Sequence, residues 1–502
     1  MDFLIWAFTS TPVNSFWLPL TYISFAIDYY FWGLKPLGFH LTNILLHAIN
    51  TGLVVLIADA LFRKILSDHE RLLQNKKLYS TLLILAGLLF GIHPTKVEAV
   101  VWVTERRAVL NGMFSLSSIY FYLRYVDCIE KSQAKAVLYC NYVLSLSLFL
   151  LSLMAKPTSI PMAGMLLVLD WYPLKRLLKD NWKRVTFEKL PYFLFAVIVI
   201  SYTILLHSKA DGFNPLREFP LSIRAIAAGN AVFDYLRIML FPIGILPYYD
   251  LPKQIPPIFI LKAISVCFFL SGIIYWRYRM PLLAVSVISF VIPIIPTLHF
   301  FAGGAQVIIT PRYTYLPSLL ISVAAAAMVA IGYEKVALRW KRWMKLALTL
   351  VFSLLISFYV VETQRLIADW KNSGAMWSKV IKKRSFDKAY FYRALYYVDS
   401  GDYAAAVADY STCLQIAQRD SSPDSFNFYA FRAEALIKSG LYSDALADID
   451  LAIARFPHRL YFYHRGLALQ GLGMQSEAVE SFRRAGNATG QMYWFPPETS
   501  PD

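Results

Sequence analysis

Six ionisable residues stand where an apolar chain has little use for charge. His93, Glu98, Arg106 and Arg107 fall in GIHPTKVEAVVWVTERRAVLNG, between two apolar runs. Lys156 follows in LMAKPTSIP and Arg312 in TPRYTYLP, each again beside an apolar run. Charges at such places are costly and invite a functional reading. A carboxylate can take the proton of an attacking hydroxyl. Arginine and lysine can hold a phosphate and stabilise charge that grows on it. One carboxylate with several cations near the headgroups thus suits a phosphorylated or pyrophosphorylated lipid. A second set, His40, Asn43, His47 and Asn50, shares one helical face of FHLTNILLHAIN, and is expected to bond neighbouring helices together. Plainer readings stay open beside the chemical ones. Arg106, Arg107 or Lys156 can snorkel from a span end, and Arg312 beside Tyr313 and Tyr315 can anchor an aromatic belt. His93 with Glu98 is half a metal site, and the four cysteines show no CxxC spacing, so no metal ligand set is assigned. Asp170 in VLDWYPLKR is expected to cap its helix or pair with Lys175. No phosphate-binding glycine loop, HExxH or GxSxG is present.

The elements that must position these residues are membrane helices. Of 502 residues, 57% are hydrophobic and 16% charged, whereas a soluble domain is about half apolar and about a quarter charged. That excludes an ordinary cytosolic enzyme, a disordered chain and a disulfide scaffold. Apolar runs of spanning length are read at 39–62, 79–93, 107–125, 136–154, 157–173, 190–207, 256–275, 281–297, 314–333 and 345–361. The linkers 63–78, 174–189, 276–280 and 334–345 are short and basic, which puts them on the cytoplasmic side. The net charge of +16 is thereby largely accounted for without nucleic acid as a partner. This orientation requires 208–255 to begin and end outside, so 225–246 is expected to be an interfacial or re-entrant helix. Residues 1–38 are then a partial first extracytoplasmic loop, and Met1 is expected to begin inside it.

After residue 361 the apolar runs stop and a repeat begins. YYVDSGDYAAAVADY, ALIKSGLYSDALADI and LALQGLGMQSEAVESF align on Gly401, Gly440 and Gly473, at spacings that bracket the 34-residue tetratricopeptide period. Ala394, Ala433 and Gly466 hold the small position of each first helix. Ala406, Ala445 and Ala478, then Cys413, Ala452 and Ala485, hold those of each second helix. The expected organisation is all-α. A transmembrane domain over 39–361 leads through a linker or capping helix at 362–385 to tetratricopeptide repeats over 386–490 and a tail at 491–502. The charge rule makes the repeats extracytoplasmic.

The motifs carry a resemblance. WLPLTYISFAIDYYFWGLKPLGFHLTNILLHAIN, LLFGIHPTKVEAVVWVTERRAVLNGMF, LMAKPTSIPMAGMLLVLDWYPL and TPRYTYLPS resemble the transmembrane-and-tetratricopeptide-repeat family. Those proteins are GT-C-fold glycosyltransferases related to protein O-mannosyltransferases, with many bacterial members. The resemblance implies a sugar transferred with inversion from a polyprenyl-phosphate carrier to an acceptor hydroxyl, usually serine or threonine of a protein, on the outer face. It implies Arg312 as leading phosphate ligand, Lys156, Arg106 and Arg107 as further ones, and His93 and Glu98 shaping the site. It also implies paired acids in the first external loop ahead of a basic residue preceding Pro-Leu, where this chain has Leu18 before Pro19. Asp28 lies at that loop's far end, in a scaffold-like position; it is the candidate base within this chain, while the base itself is expected upstream of Met1 and the chain to be shortened or inactive. The sequence leaves open whether a divalent metal takes part. The expected partners are a lipid-linked sugar, membrane lipids and a protein or peptide acceptor held by the repeats, in the bacterial cytoplasmic membrane. Two other readings remain: a non-enzymatic membrane-anchored scaffold, and a transporter, for which the halves show no inverted repeat.

Overall fold

A computed structural model describes residues 2–9, 17–177, 182–208, 220–249, 252, 255–298, 307–336, 340–419 and 425–492. Parts of the expected 208–255 loop, and residues 493–502 of the expected tail, lie outside the described residues. All regular elements among the described residues are helices. The chain divides into two compact units, Met1–Ile367 and Ala368–Asp502.

In the first unit, six helices are long and apolar enough to cross a membrane: Pro36–Ile65, Lys135–Ala155, Trp182–Tyr202, Pro257–Tyr275, Ser318–Lys335 and Lys341–Asp369. A seventh span is formed if Lys76–Gly91 and Pro94–Val101, which meet at a 48° bend, are taken together. The other three expected spans are helical but fall short of that standard. Arg106–Glu130 carries serine, tyrosine and asparagine because most of it is buried against other helices, Ser115 and Ser118 among them. Met162–Trp171 has only ten residues, and Pro281–Val291 passes into a 3-10 turn, Ile292–Thr297, containing Pro293 and Pro296. A polar helix at the centre and apolar helices outside is the economical order for a bundle in lipid. Only 6% of the apolar window of Lys341–Asp369 is buried in protein, against 50% for Ser318–Lys335. The segment expected at 225–246 is the helix Leu221–Leu240. Its Asp234 binds Lys262 of Pro257–Tyr275 at 3.0 and 3.1 Å, and Gly229 meets Ala263 so closely that a Cβ would lie 2.6 Å away.

The second unit is a series of helical hairpins: Asp387–Ser400 with Tyr403–Arg419, Ser425–Lys438 with Tyr442–Arg455, and Arg459–Gly471 with Gln475–Ala485. The three glycines that align in the sequence all follow a first helix with left-handed φ, 80° at Gly401, 78° at Gly440 and 79° at Gly473. Glycine adopts this conformation without strain. The alanines at the aligned small positions and Cys413 are buried, and Phe482 packs where a Cβ on Gly466 would fall.

An arginine ladder links the hairpins. Arg393 grips Asp409 through two bonds of 2.6 and 2.7 Å and reaches Ser378 on the preceding helix. Arg432 grips Asp448 at 2.7 and 2.8 Å and reaches Ser411 on the preceding hairpin. In the third hairpin the acid and the serine trade places. Arg465 reaches Ser481 of its own hairpin and takes Asp450 of the hairpin before. Ser378 lies on the helix Ser373–Lys383, which therefore stands where a second helix of a preceding hairpin would stand. Trp377 on that helix stacks on Tyr392 at 4.9 Å. The helix Lys341–Asp369 covers the first part of the linker expected at 362–385. Two-pronged arginine–carboxylate bonds, partly buried, are worth about 1.5–3 kcal/mol. Arg432→Ala should therefore reduce amide hydrogen-exchange protection across 425–455 markedly, whereas Arg483→Ala, whose side chain is mostly exposed, should leave it unchanged.

Candidate functional site

Three X-Pro dipeptides create the site. His93-Pro94, Lys156-Pro157 and Thr310-Pro311 each follow or interrupt an apolar run, and each opens a 3-10 turn with proline at its first position: Pro94–Lys96, Pro157–Ser159 and Pro311–Thr314. Proline cannot donate the next helical hydrogen bond, and it pushes the residue before it out of helix. The chain is thus broken at three points that meet in space, and the charged residues beside the breaks converge.

Arg312 is at the centre. Its backbone amide donates to Glu98 Oε2 at 3.0 Å, and its Nη1 donates to Glu98 Oε1. Its Nε lies 3.2 Å from Glu105 Oε1 but off the hydrogen-bonding direction. Lys156 Nζ donates to Glu105 Oε2 at 2.7 Å. Arg107 donates to Glu105 Oε1 through Nε and Nη2, at 3.0 and 2.6 Å. The guanidinium of Arg312 lies 5.2 Å from the rings of both Trp102 and Tyr313, and Lys156 Nζ is 5.2 Å from the ring of Tyr313. Burial alone would raise the Glu105 carboxyl, but Lys156, Arg312 and Arg107 outweigh it and hold the group at about 2. Burial pushes the Lys156 ammonium down to about 8, with Glu105 resisting. Burial also opposes the Arg312 charge, yet Glu98 and Glu105 more than offset it and keep the group protonated. Three cations against two carboxylates leave one positive charge uncompensated in a largely water-excluded place. Lys156, Arg312, Asn111, Thr158, Tyr313 and Tyr315 share a cleft with about 390 Å³ of empty space, including its open mouth.

The other expected site residues lie apart from this cleft. Arg106 is completely buried and spends four donations on its surroundings. They go to Asp28 Oδ2 at 2.6 Å, Ser24 Oγ at 2.9 Å, the Phe39 carbonyl at 2.7 Å, and Asn43 Oδ1. Asp28 is occupied by that contact and by Thr42 at 2.7 Å. The pair closes a structural knot and does not line this cleft. His93 is buried between Thr95 and the Met239 carbonyl, 3.0 Å from its Nε2. Arg107 reaches the cluster only through Glu105.

The polar stripe has a defined task. His47 Nε2 meets the Gly91 carbonyl at 2.8 Å and its Nδ1 meets the Tyr315 hydroxyl at 2.7 Å. Asn50 Nδ2 donates to the same hydroxyl at 2.9 Å. A chain with one consistent direction results: Asn50 donates to Tyr315, Tyr315 to His47, His47 to Gly91. The ring so held is a wall of the cleft, packed where a Cβ on Gly112 would come within 2.6 Å.

Glu105 is not among the residues singled out from the sequence. Its signal was there, an acid directly ahead of Arg106 and Arg107, but adjacent charges usually face solvent. Asp170 differs from expectation. It binds Arg176 at 3.0 Å, Lys189 at 2.7 Å and the Tyr122 hydroxyl, leaving Lys175 out. With Glu188 on Arg176 this second cluster has two acids and two buried cations, and the largely exposed Arg184 lies 3.5 Å from Glu188 at its edge. Among the described residues, no three His, Cys, Asp or Glu side chains converge as a metal site requires.

These features define a multi-pass membrane protein with a cation-rich site at broken helix ends and a helical-hairpin unit. Comparison with known proteins narrows the class. No family model matches the chain, and no solved structure matches it. Protein O-mannosyl-transferase TMTC3 of Homo sapiens is 23% identical over 404 residues, 72% of this chain and 40% of that protein. Protein O-mannosyl-transferase TMTC4 of Homo sapiens is 30% identical over 167 residues, 32% of this chain and 22% of that one. Protein O-mannosyl-transferase tmtc2 of Xenopus laevis is 33% identical over 124 residues, 25% and 13% of the two chains. The chain is a relative of the TMTC protein O-mannosyl-transferases, and it spans less than half the length of these curated relatives.

The depressed Glu105 carboxyl fixes the sign of one pH effect. A carboxylate held low in the folded state adds stability that is full above its unfolded value, about 4.3. That stability is lost as the pH falls toward about 2. Thermal unfolding of the detergent-solubilised protein should weaken over that window. Glu105→Gln should lower stability at pH 7, by leaving Lys156, Arg107 and Arg312 to repel one another, and should flatten the acid limb. An unchanged acid limb in the variant would show that other groups set it.

Proposed function

We propose that the chain is a membrane glycosyltransferase. It moves a mannose-type sugar from a polyprenyl-phosphate carrier to a serine or threonine hydroxyl of a protein, on the extracytoplasmic side of a bacterial cytoplasmic membrane. One observation carries the reading: Arg312 and Lys156 share a cleft whose cations outnumber its carboxylates. A departing phosphate gains negative charge as the sugar–oxygen bond breaks, and pre-oriented cations stabilise that charge with little reorganisation. Tyr313 and Trp102 flank the guanidinium and restrict water around it. The names of the relatives support the sugar and the type of acceptor. The tetratricopeptide-like hairpins would hold the acceptor protein, and the short basic linkers support the outward placement of the site.

Glu105 is held too low to serve as base, and Asp28 is tied to Arg106 and Thr42. The acceptor's proton would then pass to a carboxylate other than these two. That same observation favours the second reading, a membrane-anchored scaffold in which the cleft binds a lipid phosphate without turnover.

Proteoliposomes containing the full chain, a polyprenyl-phosphate mannose donor and a serine/threonine-rich peptide separate the two. Arg312→Ala should lower kcat/KM by about 100-fold or more, and Arg312→Lys should restore part of it. Transfer that survives Arg312→Ala would remove this residue from the site. Absence of transfer together with retained binding of the polyprenyl phosphate would favour the scaffold.

A further inference from the structure

Lys96 is buried at 2% exposure, two residues ahead of Glu98. Among the described residues no carboxylate lies within ion-pair distance of it, although two stand close by in sequence. Its Nζ donates to the carbonyls of Thr314 at 3.3 Å and Tyr315 at 3.2 Å, and to Ser318 Oγ. Three acceptors match the three N–H groups of an ammonium. The amine also lies 4.6 Å from the ring of Phe90 and 5.1 Å from that of Tyr315. A buried ammonium is costly without such partners, so the acceptors that hold it say what it is for.

Those acceptors are the frayed end of the turn that carries Arg312. Thr314 closes the 3-10 helix Pro311–Thr314, and Ser318 begins the helix Ser318–Lys335. Carbonyls at a helix end carry partial negative charge and favour a cation. Ser318 Oγ itself donates to the Tyr315 carbonyl at 2.9 Å, so the amine, the hydroxyl and the carbonyl form a closed set. From the same short stretch as Lys96, Glu98 takes the backbone amide and the guanidinium of Arg312. The turn of Arg312 is thus held at both ends by the HPTKVE segment: at its start through Glu98, at its finish through Lys96.

We propose that Lys96 is a positioning residue, which fixes the backbone of the Arg312 turn so that the guanidinium faces the cleft ready for a phosphate. The inference rests on the reading of that cleft as a phosphate site. Lys96 does not touch the ligand and acts only through Arg312.

The test is a double-mutant cycle on the full chain in nanodiscs, with affinity for a short-chain polyprenyl monophosphate as the signal. Lys96→Met, which keeps the stem and removes the donors, should weaken binding about tenfold in the wild-type background and less than about twofold in the Arg312→Ala background. A merely structural role would lower the unfolding temperature and reduce affinity by the same factor in both backgrounds. Equal losses in both backgrounds, or no loss in the first, overturn the inference. If Arg312→Ala itself binds like wild type, the phosphate reading falls and takes the inference with it, a result distinguishable from failure of Lys96 alone. Should Lys96→Met not fold, Ser318→Ala removes one of the three acceptors more gently. Its loss of about threefold should likewise vanish in the Arg312→Ala background, and unchanged affinity would overturn the inference.

Discussion

A helix that stops inside a bundle leaves carbonyl groups with no water to receive, and this fold depends on how those groups are satisfied. The polar residues of the motifs mostly answer that need. His47 meets the last carbonyl of Lys76–Gly91, and Asn43 meets Val100 near the end of Pro94–Val101 at 3.1 Å. Asn111 Nδ2 donates to the carbonyls of Ser152 and Lys156 at 2.8 Å each, and Thr21 Oγ1 donates to that of Ala155 at 2.9 Å. His93 closes the end of Leu221–Leu240 through Met239. The prolines that break the helices and the side chains that repair the breaks are therefore two halves of one device. The device yields irregular backbone at a fixed place, and the charged cleft is built on that backbone.

Charge balance then separates structure from chemistry. Arg106 with Asp28 is a closed pair, and in the Asp170 cluster two buried cations face two acids. Breaking either would leave an uncompensated buried charge, so both hold the bundle in one arrangement. The Arg312 cluster differs from these two, with more positive than negative charge and an opening beside it. A buried excess of charge is tolerated when a ligand completes it. Excess charge together with an adjoining cleft separates this cluster from the other two.

Much of this was legible in the sequence. Apolar length and basic linkers gave the helices, and three glycines and a set of alanines gave the hairpins, because those residues act locally. The convergence of Lys156 and Arg312 was foreshadowed by proline beside each. The partition of roles was not. Arg106 and Arg107 are adjacent, yet a rotation of about 100° per helical residue sends one into a structural knot and the other to Glu105. Glu105 and Lys96 were overlooked because their value comes from partners 51 and 218 residues away, which no local pattern reveals. The spans at 107–125, 157–173 and 281–297 differ from simple crossings for the same reason. Helices surrounded by protein need not be uniformly apolar or unbroken.

The exchanged acid and serine in the last hairpin give the second unit a direction. The first two hairpins each own both sides of their arginine–aspartate pair, so each can close on itself. The third keeps its arginine but leaves the carboxylate on its predecessor. Asp450 precedes Arg465 in the chain, so the carboxylate that the third hairpin needs lies on a hairpin made before it. The third hairpin thus depends on the second for its charge partner, whereas the first two do not depend on a neighbour for theirs.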